Sequence, residues 1–196
     1  MHHRQGFART ALCAFALMVM ALPAGATGRP TPQAEASAEL VGAFSDACLR
    51  HLGDLDGVTD WAKAHGLSPL AGPSQALEAY TGDANGSAWS IRGKFTDGVV
   101  ALRANTGACA IFGERADPDA FARAYDKIVA SVAAQLGTTD VETPQRDVAE
   151  PSTFGRHVAK VRRVSGRGKI VSVVLLTYER PGGPYQVGMA ISQMDE

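Results

Sequence analysis

The chain has 196 residues, of which 45% are apolar and 20% charged, and its formal charge is -1. It is too apolar and too nearly neutral for a disordered chain, and it lacks the concentrated basic face of a dedicated nucleic-acid binder. Gly and Pro are ordinary in number and show no collagen-like period.

The elements follow in chain order. Arg4 and Arg9 precede an apolar run, ALCAFALMVMAL at 11–22, which ends at Pro23 and Ala24-Gly25-Ala26. A basic start, a short apolar run and a small-residue ending are the marks of a secretory signal peptide, with cleavage expected after Ala26. The run is shorter than the roughly 20 residues needed to span a bilayer. No later stretch is long enough, so the mature chain is expected to have no transmembrane segment. Cys13 lies inside the apolar run, not just after the cleavage site, which disfavours lipidation. The expected mature chain loses Arg4 and Arg9, so 17 Lys and Arg stand against 20 Asp and Glu, a charge of -3. It keeps Cys48 and Cys109. In an exported chain these are expected to form one disulfide, closing a loop of about 60 residues; chain-entropy arithmetic values this at about 4 kcal/mol. Export places the protein in the periplasm or outside the cell.

Residues 27–36 read as a flexible leader, and 37–196 as one domain. From 36 to 52, Leu40, Val41, Phe44, Ala47, Cys48, His51 and Leu52 recur at helical spacing. A second helix is predicted over 54–67 and a third, short one over 74–80. The period then becomes two. Trp89, Ile91 and Phe95 alternate in a first strand, Asp97-Gly98 reads as a hairpin turn, Val99–Arg103 is a second strand and Ala108–Gly113 a third. Asp117-Pro118 opens a long amphipathic helix carrying Phe121, Tyr125, Ile128, Val129, Val132 and Leu136, closed by Gly137. Residues 138–153 read as a polar connecting loop. Phe154–Val164, Lys169–Tyr178 and Tyr185–Ile191 form a second meander, with turns at Ser165–Gly168 and Pro181-Gly182-Gly183. The expectation is an α+β fold: N-terminal helices, then two three-stranded antiparallel meanders flanking a long helix. The sheet would have about six strands, with the helices on one face.

Motifs for chemistry are sparse. Gly166-Arg167-Gly168-Lys169 lacks the phosphate-loop spacing and joins two strands. Asp54, Asp56 and Asp60 cluster, but with Gly57 as pivot the first and twelfth places of a calcium loop fall on Leu52 and Lys63. The mature histidines, His51, His65 and His157, are far apart and make no zinc pattern with two cysteines. No G-x-S-x-G occurs. No cofactor, metal ligand or catalytic residue is assigned. Arg156, Lys160 and Arg162 fall on one face of a predicted strand and form a candidate patch for an anionic partner: an envelope protein, a glycan or a lipid headgroup. The same residues also read as a solvated face or a protected strand edge. Trp61 and Trp89 read as core anchors.

Phe44 and Cys48 on an N-terminal helix, Trp89 on a strand and Cys109 on a third strand before an amphipathic helix form a pattern over about residues 38–136. The pattern resembles small exported proteobacterial proteins that have no assigned activity. The resemblance implies a Gram-negative periplasmic home and carries over no catalytic residue. The expected function is that of an exported, non-catalytic binding protein or envelope accessory factor. The alternatives are a carrier of a small apolar ligand and a hydrolase with dispersed residues, in which His51, His65 or His157 would serve.

Overall fold

The computed structural model describes residues 30–71, 74–82, 85–143, 149–152, 155–178 and 185–196. The expected signal peptide and the Pro181-Gly182-Gly183 turn lie outside the described residues. Helix α1 spans Pro32–Phe44, starting inside the stretch expected as a leader. Thr31 caps it by accepting from the Ala34 N–H, and Pro32 occupies the first helical position, where its missing N–H costs nothing. From Ser45 to Leu49 the helix widens into a π-turn, with Ser45 Oγ donating to the Val41 carbonyl. Helix α2 is Leu55–Ala64, where Asp54 accepts from the Gly57 N–H, and α3 is Ser74–Thr81. Helix α4 is Pro118–Leu136, capped by Asp117 at its start and ended by Gly137 in the left-handed region at φ 67°.

The strands are β1 (Ser68–Pro69), β2 (Ser87–Arg92), β3 (Asp97–Arg103), β4 (Ala108–Gly113), β5 (Val141–Glu142), β6 (Ala149–Ser152), β7 (Gly155–Gly166), β8 (Lys169–Tyr178) and β9 (Val187–Asp195). They form one antiparallel sheet of order β1-β2-β3-β4-β9-β8-β7-β5, with β6 also on β7. The α+β class and the antiparallel sheet are as the sequence leads one to expect. The plain arrangement of six strands in two meanders is too simple. Strands β5 and β6 fall in the stretch expected as a polar loop, and β1 adds to the other end. The last strand, β9, lies beside β4 and joins the two halves, with Ala110 opposite Ala190 and Ile111 opposite Met189.

The first hairpin also turns elsewhere than expected. Asp97-Gly98 begins β3, and the turn is Gly93–Thr96. Its backbone is held by α1: the Glu39 carboxylate accepts from the N–H groups of Lys94 (2.8 Å) and Phe95 (3.1 Å). A carboxylate from a distant helix thus overrides the local Asp-Gly signal.

The two faces of the sheet carry separate cores. On the first, α1, α2 and α4 cover Trp89, Val100, Leu102, Cys109, Ile111, Val173, Met189 and Ile191. Leu40 of α1 packs onto Gly113, where a Cβ would collide with the leucine methyl. On the second face, Ala88, Val99, Ala101, Ala110, Phe112, Tyr178 and Tyr185 cluster beside Leu77 and Tyr80 of α3. The helices are therefore not all on one face, because α3 crosses to the other side.

Cys48 and Cys109 are bonded, with Cα atoms 5.3 Å apart, tying the π-turn to β4. Both residues are buried. Cys48→Ser or Cys109→Ser is expected to lower stability by about 2–4 kcal/mol, through release of a long loop in the unfolded chain. Equal melting temperatures with and without reductant would contradict this. Among the described residues, no helix is long and apolar enough to cross a membrane.

Candidate functional site: a groove on the second face of the sheet

Helix α3 packs mainly over β2 and β3 on its side of the sheet, with Tyr80 reaching Phe112 of β4. Beside it, over β4, β9 and β8, the sheet face forms the floor of a groove of about 390 Å3. The register explains its depth. Ala88, Ala101, Ala110, Ala190 and Val174 stand side by side across five strands. Small side chains in a row leave room above the sheet that larger ones would fill. Ser192 and Ser172 form the next pair along the same face.

The walls are polar. Arg103 stands on one side, at the end of β3, and its Nε donates to the Tyr80 carbonyl of α3 at 3.3 Å. No carboxylate is ion-paired with Arg103 among the described residues. On the other side are Tyr178 and His157, opposite one another on β8 and β7, with ring centroids 5.5 Å apart. His157 Nδ1 is buried and has no hydrogen-bond partner among the described residues. Among the described residues, no aspartate or glutamate lines the groove.

An aromatic cluster sits under α3. The Tyr80 ring meets Phe112 and Tyr185 edge-on, with both centroid distances 5.6 Å, and the Tyr80 and Tyr185 hydroxyls are hydrogen-bonded. Burial raises the pKa of Tyr178 to about 12, although the cationic Arg103 acts in the opposite sense. Burial likewise pushes up Tyr80 and Tyr185, and the nearby Glu114 adds to this in both.

The residues singled out in the sequence lie elsewhere, with one exception. Arg156, Lys160 and Arg162 share a face of β7, as their alternation requires, and it is the face toward α4, not the groove face. Lys160 is committed there: it pairs with Asp126 at 3.2 Å and lies 5.2 Å from the centre of the Tyr125 ring. Lys160 and Arg162 also line a hollow of about 470 Å3 with Val158, Leu175 and Thr177. The outer edge of β7 is paired by β6 over Gly155–Val158 and by β5 over Arg163–Val164. The three histidines are not brought together. His51 and His65 flank α2 in the helical layer, His65 with Nδ1 on the Trp61 carbonyl at 2.8 Å, while His157 lies across the sheet in the groove. Among the described residues, no three His, Cys, Asp or Glu side chains gather as metal ligands. Trp89 is buried in the first core and Trp61 packs at its margin, its Nε1 without a hydrogen-bond partner among the described residues.

Arg103, Tyr178 and the alanine row carry no local motif, so pattern reading passed over them. The signal available was small residues recurring at period two in strands otherwise rich in Val and Ile. Comparison with known protein families, characterised proteins and solved structures gives no match.

Proposed function

We propose that this is an exported, non-catalytic binding protein, and that the groove on the second face of the sheet is its recognition site. The observation that carries this is the groove itself: an apolar floor with a few polar side chains at its walls, in the size range of small-molecule sites. It favours a small ligand over a macromolecular partner, since the concavity is bounded by α3 on one side. Export is supported by the basic and apolar N-terminus and by the disulfide, which persists in oxidising compartments. The sequence's resemblance to small exported proteobacterial proteins, taken as a proposal, implies the periplasm. Against a histidine-based hydrolase, the His157 Nδ1 that an orienting carboxylate would hold has no hydrogen-bond partner among the described residues, and no described acid lines the groove.

Native mass spectrometry of the protein recovered from its host's envelope is the test. A small-mass adduct is expected, and it should be lost in Ala190→Trp or Ser172→Trp, each of which fills the groove floor. Circular dichroism checks that the variants remain folded. A bare mass in the parent, or a co-purifying protein held equally by parent and variants, would overturn the reading.

A further inference from the structure

Resting on that reading, we infer that the groove takes a linear aliphatic chain ending in a carboxylate, with Arg103 as the residue that binds the carboxylate. The shape selects the chain. Ala110, Ala190 and Val174 are direct neighbours on three adjacent strands, so the floor is flat and about 10 Å across. Leu176 and Phe112 extend the apolar surface on the same face. A slender unbranched chain contacts such a floor along its length, and burial of its apolar surface supplies the attraction.

The charge selects the head. Arg103 is half-buried, and a guanidinium carries five donors in a fixed fork. One is used on the Tyr80 carbonyl, which also holds the side chain in place against α3. The remaining donors suit a carboxylate, which accepts two parallel hydrogen bonds from this group. Among the described residues the lining holds the Arg103 cation and no acid, so a cationic head would meet repulsion from Arg103 without a counter-charge there. Thr106, Ser172 and Ser192 are the neutral hydrogen-bonding groups within the same lining.

Isothermal titration of the mature protein tests this, using dodecanoate and dodecyltrimethylammonium below their micelle concentrations. Dodecanoate is expected to bind one to one, at least about tenfold more tightly than the cation, the ratio that one charge-assisted hydrogen bond produces. Arg103→Gln should remove that preference, and Arg103→Lys should keep most of it. Ala190→Trp should abolish binding of both probes. Equal affinity for the two probes, or a preference unchanged in Arg103→Gln, would overturn the assignment of Arg103 and leave the groove standing. Failure of both probes would overturn the aliphatic-chain assignment. If the envelope protein then still carries an adduct that Ala190→Trp removes, the binding function survives without it; if it carries none, both readings fall.

Discussion

Raising the pH from about 9 to about 12 is expected to unfold the protein cooperatively, with phenolate absorbance appearing only as the fold is lost. The chain has four tyrosines, and all four have raised pKa values, with burial the largest cause in each. Tyr125 and Tyr178 illustrate the balance. A nearby arginine pulls each down, Arg162 for the first and Arg103 for the second, and burial outweighs it. An unfolded tyrosine ionises near pH 10. The fold holds the neutral phenol, so the stabilising contribution is complete below about pH 10 and is lost as pH rises through the folded value. For Tyr178 the window runs from about 10 to about 12. Each buried tyrosine steepens the loss by up to about 1.4 kcal/mol per pH unit. Several acting together rapidly consume a typical domain stability of about 5–15 kcal/mol. The check is one titration followed by both phenolate absorbance and circular dichroism. Phenolate forming near pH 10 with the circular dichroism unchanged would refute the prediction. Tyr178→Phe should make the alkaline limb shallower.

Tyr125→Ala is expected to cost about 3–5 kcal/mol, the range for removing a large aromatic side chain from a core. Tyr125 is fully buried on the inner face of α4, in the core that α1, α2 and α4 build over the sheet. Its hydroxyl lies 3.3 Å from the carbonyls of both Lys160 on β7 and Val173 on β8, so it fastens the helix to two strands at once. Its ring carries the Lys160 ammonium above it. Tyr125→Phe keeps the ring and removes only the hydroxyl, so about 1 kcal/mol is expected. Urea unfolding of both variants checks the pair. An alanine variant within about 1 kcal/mol of the parent would show that α4 closes over the gap, contrary to close packing at this position.

Much of the helical layer was legible because its signals are local. Asp117-Pro118 and Gly137 marked both ends of α4, and the apolar spacing between them named its buried face. The apolar run of β8 likewise marked a strand, though only one of its faces is closed over: Val171, Val173 and Leu175 are buried, while Ser172, Val174 and Leu176 line the groove. The start of α1 was not read, because the polar composition of 27–36 suggests a leader, although Thr31 and Pro32 form the same capping pair as Asp117-Pro118. The turn at Gly93–Thr96 was not legible, because Glu39 decides it from more than fifty residues away.

The candidate site shows the same division more sharply. Taken alone, the sequence determined the period of each long element, the cap residues and the two mature cysteines, all of which depend on neighbours along the chain. Only the tertiary structure decided that β9 pairs with β4, which sets Ala190 beside Ala110, and that α3 crosses to the second face and packs mainly over β2 and β3. Those two choices create the groove and place Arg103, Tyr178 and His157 around it. The reason is that strand order is chosen by which faces can be buried together across long loops, and no residue carries that information in its immediate surroundings.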